Sequence, residues 1–316
     1  MSATVELKHN GDSNRISTST DGAFAEVQIP VPWGHIAGKW WGSRDIQPII
    51  ALHGWQDNSG TFDKVAPLLK EKGHSLLCID LPGHGFSSHL PQGHKYYVWW
   101  DGIHYLRRIV KYFKWKDITI LGHSLGGGIA FLYAAAYPKE VKKYISIDLA
   151  SPSVRNLQRS CDAIGPAIDK FLSYEKLTPD QVPCYPYNEM LEILVHAHNG
   201  SVNREGCEIL LKRGMRPAMN RDGYYFTRDP RLKLSALGFI SIEQVTELAS
   251  RILCEVLNIR AIDGHKPDHP EHYDFVLNEI EKQAKKVERH LVEGTHHLHL
   301  NDGRSVATII HNFLIS

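Results

Sequence analysis

No C-x-x-C pair occurs in the sequence, and its five cysteines, Cys78, Cys161, Cys184, Cys207 and Cys254, are odd in number and scattered. That excludes a regular disulfide framework and fits reduced thiols in a reducing compartment. Net charge is nearly absent: 36 basic residues face 35 acidic ones, leaving +1, so no general attraction to nucleic acid or anionic membrane is implied. No apolar run is long enough to span a bilayer, and no transmembrane segment is expected. The start of the chain has no apolar signal core; residues 1–23 are rich in Ser, Thr, Asn and Asp and predict a disordered leader. The expected location is therefore cytoplasmic. A Walker phosphate loop is excluded because Gly127 is followed by Gly128-Ile129 and not by Lys-Ser/Thr. The G-x-G-x-x-G of a dinucleotide fold is also missing after the first strand, and no cofactor is implied.

What is present is 316 residues, 42% of them apolar, enough for a sizeable core. Short apolar runs at Gln47–Gly54, His74–Leu81, Asp117–Gly122 and Lys143–Leu149 alternate with helical patterns at Thr61–Lys72, Val98–Trp115 and Leu125–Tyr137. Continuous apolar strands separated by helices predict a parallel sheet covered on both faces. Ala25–Ile29 and His35–Trp41 read as an antiparallel hairpin at its edge. From 152 to 250 the alternation stops and helical patterns dominate; it resumes with Cys254–Ala261, Pro270–Lys286, Lys286–Val292 and Gly303–Ile315. The expected architecture is a mostly parallel eight-stranded α/β sheet with helices on both faces. Its core comprises residues 24–151 and 251–316, and an all-helical cap, 152–250, is inserted before the last two strands.

Gly122-His123-Ser124-Leu125-Gly126 fits G-x-S-x-G between a predicted strand and a predicted helix, the context in which the motif marks a nucleophile. So tight a reversal strains the serine by about 1–3 kcal/mol and leaves no room for side chains at Gly122 and Gly126. Gly127 and Gly128 are then expected to bring the helix close to the sheet. Ser124 stands at the helix N-terminus, where positive dipole density favours a developing anion.

With these motifs the chain resembles the α/β-hydrolases, and among them the serine hydrolase-like proteins, including the kraken-type hydrolases. The resemblance spans roughly residues 25–315. It rests on VPWGHIAGKWWG (31–42), LHGWQDNSGTFD (52–63), DLPGHGFSSH (80–89), LGHSLGGG (121–128), RDGYYFTRDPRLK (221–233) and GTHHLHL (294–300). It implies a serine nucleophile, Ser124, and an acid and a histidine following in that order. The Gly-x-His turn selects His296 as the base, with His297 and His299 as packing or hydrogen-bonding neighbours. It also implies an oxyanion hole built from the backbone N–H groups of Trp55 and Leu125.

For the acid, alternatives remain. The usual Gly-x-x-Asp turn after the post-cap strand places Gly264 where an aspartate would stand, with Asp263 one residue early. Asp148 ends the strand after the nucleophile helix, a position where the serine hydrolase-like proteins also keep a carboxylate. Asp148 is the preferred acid, Asp263 the alternative, and Asp268 a further candidate; each could instead be a turn or capping residue.

No metal is expected. His296-His297-x-His299 has no Asp, Glu or Cys close by in sequence, and the histidines of 265–272 sit in a proline-broken, charged stretch that reads as a solvated loop. Asp80 is expected to brace the Leu81–Gly85 turn. The whole reads as a serine hydrolase of carboxylic esters acting through an acyl-enzyme on a small-molecule substrate. Trp55, Trp99, Trp100, Tyr224, Tyr225 and Phe226 suggest an apolar group on it. The second reading, left open by Gly264, is a small-molecule receptor or carrier with little or no turnover.

Overall fold

A computed structural model describes residues 23–177, 181–234 and 240–316. The predicted leader lies outside the described residues except for Ala23. Eight strands form the main sheet: β1 (Ala25–Val31), β2 (Gly34–Trp41), β3 (Ile49–Leu52), β4 (Leu76–Ile79), β5 (Ile118–His123), β6 (Val141–Ile147), β9 (Glu255–Asp263) and β10 (Lys286–Thr295). They lie in the order β1-β2-β4-β3-β5-β6-β9-β10. Only the pairings of β2, with β1 and with β4, are antiparallel; every other neighbouring pair is parallel. The fold class and the edge hairpin are as expected, and the long insertion does fall between β6 and β9.

The central strands are short and apolar because both of their faces are covered. Alternate residues feed two separate cores. Ile50, Leu52, Leu77, Ile79 and Ile120 face the helices Val98–Phe113 and Leu125–Ala136. Ile49, Ala51, Leu76, Cys78 and Leu121 face Ala66–Glu71 and Gly303–Ile315. All five cysteines are free.

The insertion differs from expectation in two ways. It is not all helical: β7 (Met215–Pro217) and β8 (Tyr224–Phe226) form a small antiparallel pair, extended by a bridge from Tyr185 to Tyr224. Three-residue strands are too short to show an alternating pattern. Its last helix, Ile242–Ala249, buries Val245 and Ala249 in the main core instead of roofing it. Met190, Leu191, Val202, Cys207, Leu210 and Leu211 form a third cluster that closes onto Leu300 of the core.

Buried ion pairs pin the insertion down. Arg213 reaches from it to Asp80, at 2.8 Å, and to Glu26 on β1. Asp80 also accepts from the backbone N–H groups of Ser59 and Phe86, so it braces the turn as expected. Burial alone would raise the Asp80 carboxyl, but the Arg213 guanidinium overcomes that and holds it down at about 2. Among the described residues, no helix is long and apolar enough to cross a membrane.

Candidate active site

Ser124 sits between β5 and the helix Leu125–Ala136 with φ 49° and ψ −114°, a conformation strained for any residue with a side chain. The glycines around it are required by contact. A Cβ on Gly122 would lie 2.3 Å from the carbonyl of Gly126, and one on Gly126 would lie 2.0 Å from the Leu52 oxygen on β3. Gly126 therefore brings the helix against the sheet. Gly128, expected to share that task, instead makes room for the Trp99 ring on the neighbouring helix, 2.1 Å from where its Cβ would be.

Parallel pairing carries the chain from this serine to a carboxylate. The Ser124 N–H donates to Ile147 O at 3.1 Å, and the next residue, Asp148, donates its N–H to Ile259 O at 2.7 Å. The C-terminal ends of β5, β6 and β9 are thereby laced together, with β10 alongside β9. Asp148 is 2% exposed and, like Ser124, has positive φ, 54°. Its Oδ1 accepts from Ala261 N–H at 2.8 Å; its Oδ2 accepts from His265 N–H at 2.7 Å and stands 2.6 Å from His296 Nδ1. That contact fixes the His296 tautomer: Nδ1 carries the hydrogen toward the carboxylate, leaving Nε2 as the basic nitrogen when the ring is neutral.

Gly264 explains why no aspartate stands at the usual turn. A Cβ there would lie 2.3 Å from Asp148 Oδ1 and 2.4 Å from Oδ2, so the carboxylate from β6 already fills that place. Asp263 is exposed at the end of β9, paired in the sheet with Thr295. Asp268 accepts from the Asn156 N–H and pairs with Arg159. The structure brings Asp148 to His296, and neither of the other two.

Leu125 is the first helical residue, so its N–H has no partner within the helix. Trp55 follows the turn after β3; the residue is 40% exposed, and its indole donates to Leu232 O of the insertion at 2.9 Å. His53 holds that turn: its Nδ1 donates to Gly54 O at 2.7 Å and its Nε2 accepts from Leu81 N–H at 3.0 Å. His84 accepts the Gln56 N–H, and burial pushes it down to about 3, keeping it neutral.

A polar group that sequence reasoning missed lies behind His296. His123, just before the nucleophile, donates from Nε2 to the His296 carbonyl at 2.9 Å. His297 stands 3.2 Å from Asp57, and His299 stands 2.9 Å from Thr61 Oγ1. Burial also pushes His123 down to about 3. Nothing local could have revealed this group, because Asp57 and His297 are 240 positions apart.

Comparison with known proteins shows the family. A family model described as "alpha/beta hydrolase fold" matches residues 47–182. A "Probable serine hydrolase" of Drosophila melanogaster is 50% identical over 292 residues, 92% of this chain and 88% of its own. This chain belongs to the serine hydrolase-like α/β-hydrolases. A "Serine hydrolase-like protein" of Danio rerio is 33% identical over 94% of this chain and 90% of its own. A solved hypothetical protein of Pseudomonas aeruginosa superposes with a TM-score of 0.78 at 28% identity, over 92% of this chain and 99% of that one.

Proposed function

We propose that this hydrolase cleaves small carboxylic esters through a Ser124–His296–Asp148 triad and an acyl-enzyme. The reading rests on one observation above all: the 2.6 Å contact of His296 Nδ1 with a buried carboxylate at the strand end beside the Ser124 elbow. In this reading Nε2 of His296 takes the Ser124 proton as Oγ attacks the ester carbonyl, and returns it to the departing alcohol. Water, deprotonated by the same nitrogen, then releases the acid. The Asp148 carboxylate orients the ring and stabilises the imidazolium. The N–H groups of Leu125 and Trp55 stabilise the oxyanion, each worth about 10²–10³ in rate.

A serine nucleophile argues against the epoxide hydrolase and haloalkane dehalogenase chemistries, which use an aspartate in this fold. Gly264, which left the receptor reading open, lies against the Asp148 carboxylate, and that contact supports the enzyme reading. For substrate we infer an apolar acyl or alcohol group. A cleft of about 690 Å³ runs between the start of the insertion and the helix Ile242–Ala249; Val154, Leu157 and Ile240 line it beside polar residues such as Arg155, Asn156 and Glu243, and its lining does not include Ser124 or His296. Trp99 lines it too, and the same ring packs on Gly128 one turn from Ser124.

The test is a fluorophosphonate probe followed by a panel of esters of graded acyl length. The wild-type chain is expected to label on the peptide bearing Ser124 and to turn over the panel. Ser124→Ala should lose the label and about 10⁴–10⁶-fold in kcat. Labelling that survives the substitution would refute the assignment.

A further inference from the structure

We propose that Asp57, His123 and His297 bind a divalent transition-metal cation of the zinc type immediately behind His296. Each offers one ligand atom, all three atoms lie within 4.8 Å of one another, and all three residues are buried. Asp57 Oδ2 is 3.2 Å from His297 Nε2 and 3.6 Å from His123 Nδ1. Two ligands on one tetrahedral zinc, each bound at its usual length, stand about 3.3 Å apart. Both distances from Asp57 are close to that spacing.

Orientation of the rings supports the same reading. The Nε2 of His123 faces the His296 carbonyl at 2.9 Å and must carry its hydrogen. Its Nδ1 then points at the Asp57 carboxylate from 3.6 Å, too far for a hydrogen bond, and has no other partner among the described residues although the side chain is fully buried. His297 is held from its other side: Nδ1 lies 2.7 Å from Ser201 Oγ, which leaves Nε2 for Asp57. Imidazole ligands characteristically anchor their outer nitrogen on a carbonyl, carboxylate or water, and the carbonyl and hydroxyl here do that work. Among the described residues Asp57 Oδ1 and His299 Nδ1 are likewise buried without partners, and the His299 ring lies 4.2 Å from that of His123.

Gly54 leaves space at this point. A Cβ there would stand 2.8 Å from His123 Nδ1 and 2.9 Å from Asp57 Oδ2, against both ligand atoms. Two imidazoles and one carboxylate suit zinc and its neighbours better than calcium or magnesium, which prefer all-oxygen sets. The sequence expectation of no metal rested on the lack of an acid near His297; the fold supplies one from 240 positions away. A cation here would tie together three segments: the turn bearing Trp55, the residue before Ser124 and the residue after His296. The binding site itself stands or falls without the hydrolytic reading.

The experiment uses the full chain without a histidine tag, stripped by chelator and titrated with zinc sulfate against a chromophoric chelator. Metal content after gel filtration is read by mass spectrometry. We expect one equivalent of zinc per chain. Asp57→Asn and His297→Gln should each weaken it by about 100-fold or more, and Ser201→Ala, which removes only an outer anchor, by about 10-fold. Zinc should raise the melting temperature of the wild type and leave that of Asp57→Asn unchanged. A double His269→Ala/His272→Ala variant, which removes the more exposed His269-Glu271-His272 group, should bind as the wild type does. No stoichiometric zinc, zinc retained at full affinity by both Ser201→Ala and His297→Gln, or zinc lost with His269 and His272 would each overturn the proposal. Fluorophosphonate labelling of Ser124 is scored separately, so its failure is not confused with this one.

Discussion

Two adjacent histidines, His296 and His297, each face an aspartate, and we propose different tasks for the two pairs. The Asp148 carboxylate is fully partnered, by two backbone N–H groups and the His296 ring, and His296 keeps 18% of its side chain exposed. The Asp57 carboxylate has an oxygen with no partner among the described residues, and it, His123 and His297 are all buried. A proton-transfer couple needs a satisfied acid and a reachable base. A couple with lone pairs left over in the interior is arranged to hold something positive. Asp80 supplies the reference case: equally buried, but matched by Arg213 and two N–H groups, with nothing left to bind.

The comparison breaks first at Gly264. Gly264→Ala drives a methyl group into the Asp148 carboxylate and should lower kcat by about 10²–10³, since a displaced triad member misaligns the base. Zinc affinity at the other couple should not change. Ester hydrolysis and the chelator titration, run on the same preparation, check both halves. A variant with wild-type kcat would mean that His296 is oriented by something else.

A smaller effect sharpens the contrast with Asp80. Its carboxyl is held at about 2 in the fold against an ordinary value near 3.8. Its contribution to stability is therefore complete above about pH 4 and is lost as pH falls toward 2, about 2 kcal/mol in all. Urea unfolding at several pH values should show this loss in the wild type and a flatter acid limb in Asp80→Asn. Parallel acid limbs would contradict it.

How legible this was depended on whether the signal was local. The parallel sheet was readable because β3, β4, β5 and β6 are buried on both faces and so read as apolar runs. The elbow was readable because Gly122, Ser124 and Gly126 must lie at fixed spacing for the backbone to turn there. Asp148 and Asp263 could not be separated by spacing alone. They end neighbouring strands, β6 and β9, and only the packed turn decides which carboxylate the histidine meets. The β7–β8 pair was missed because it has three residues a side, and the Asp57 group because its members come from three distant segments. Gly264 was legible only as an anomaly until the carboxylate that fills its place was seen.

The most direct measurement is the turnover of an activated ester by Asp148→Asn beside Asp263→Asn. The carboxylate at the end of β6 should cost about 10⁴ in kcat when made an amide, because the ring is then held in the wrong tautomer, while the exposed one costs little. Equal losses, or the larger loss at Asp263, would contradict the account.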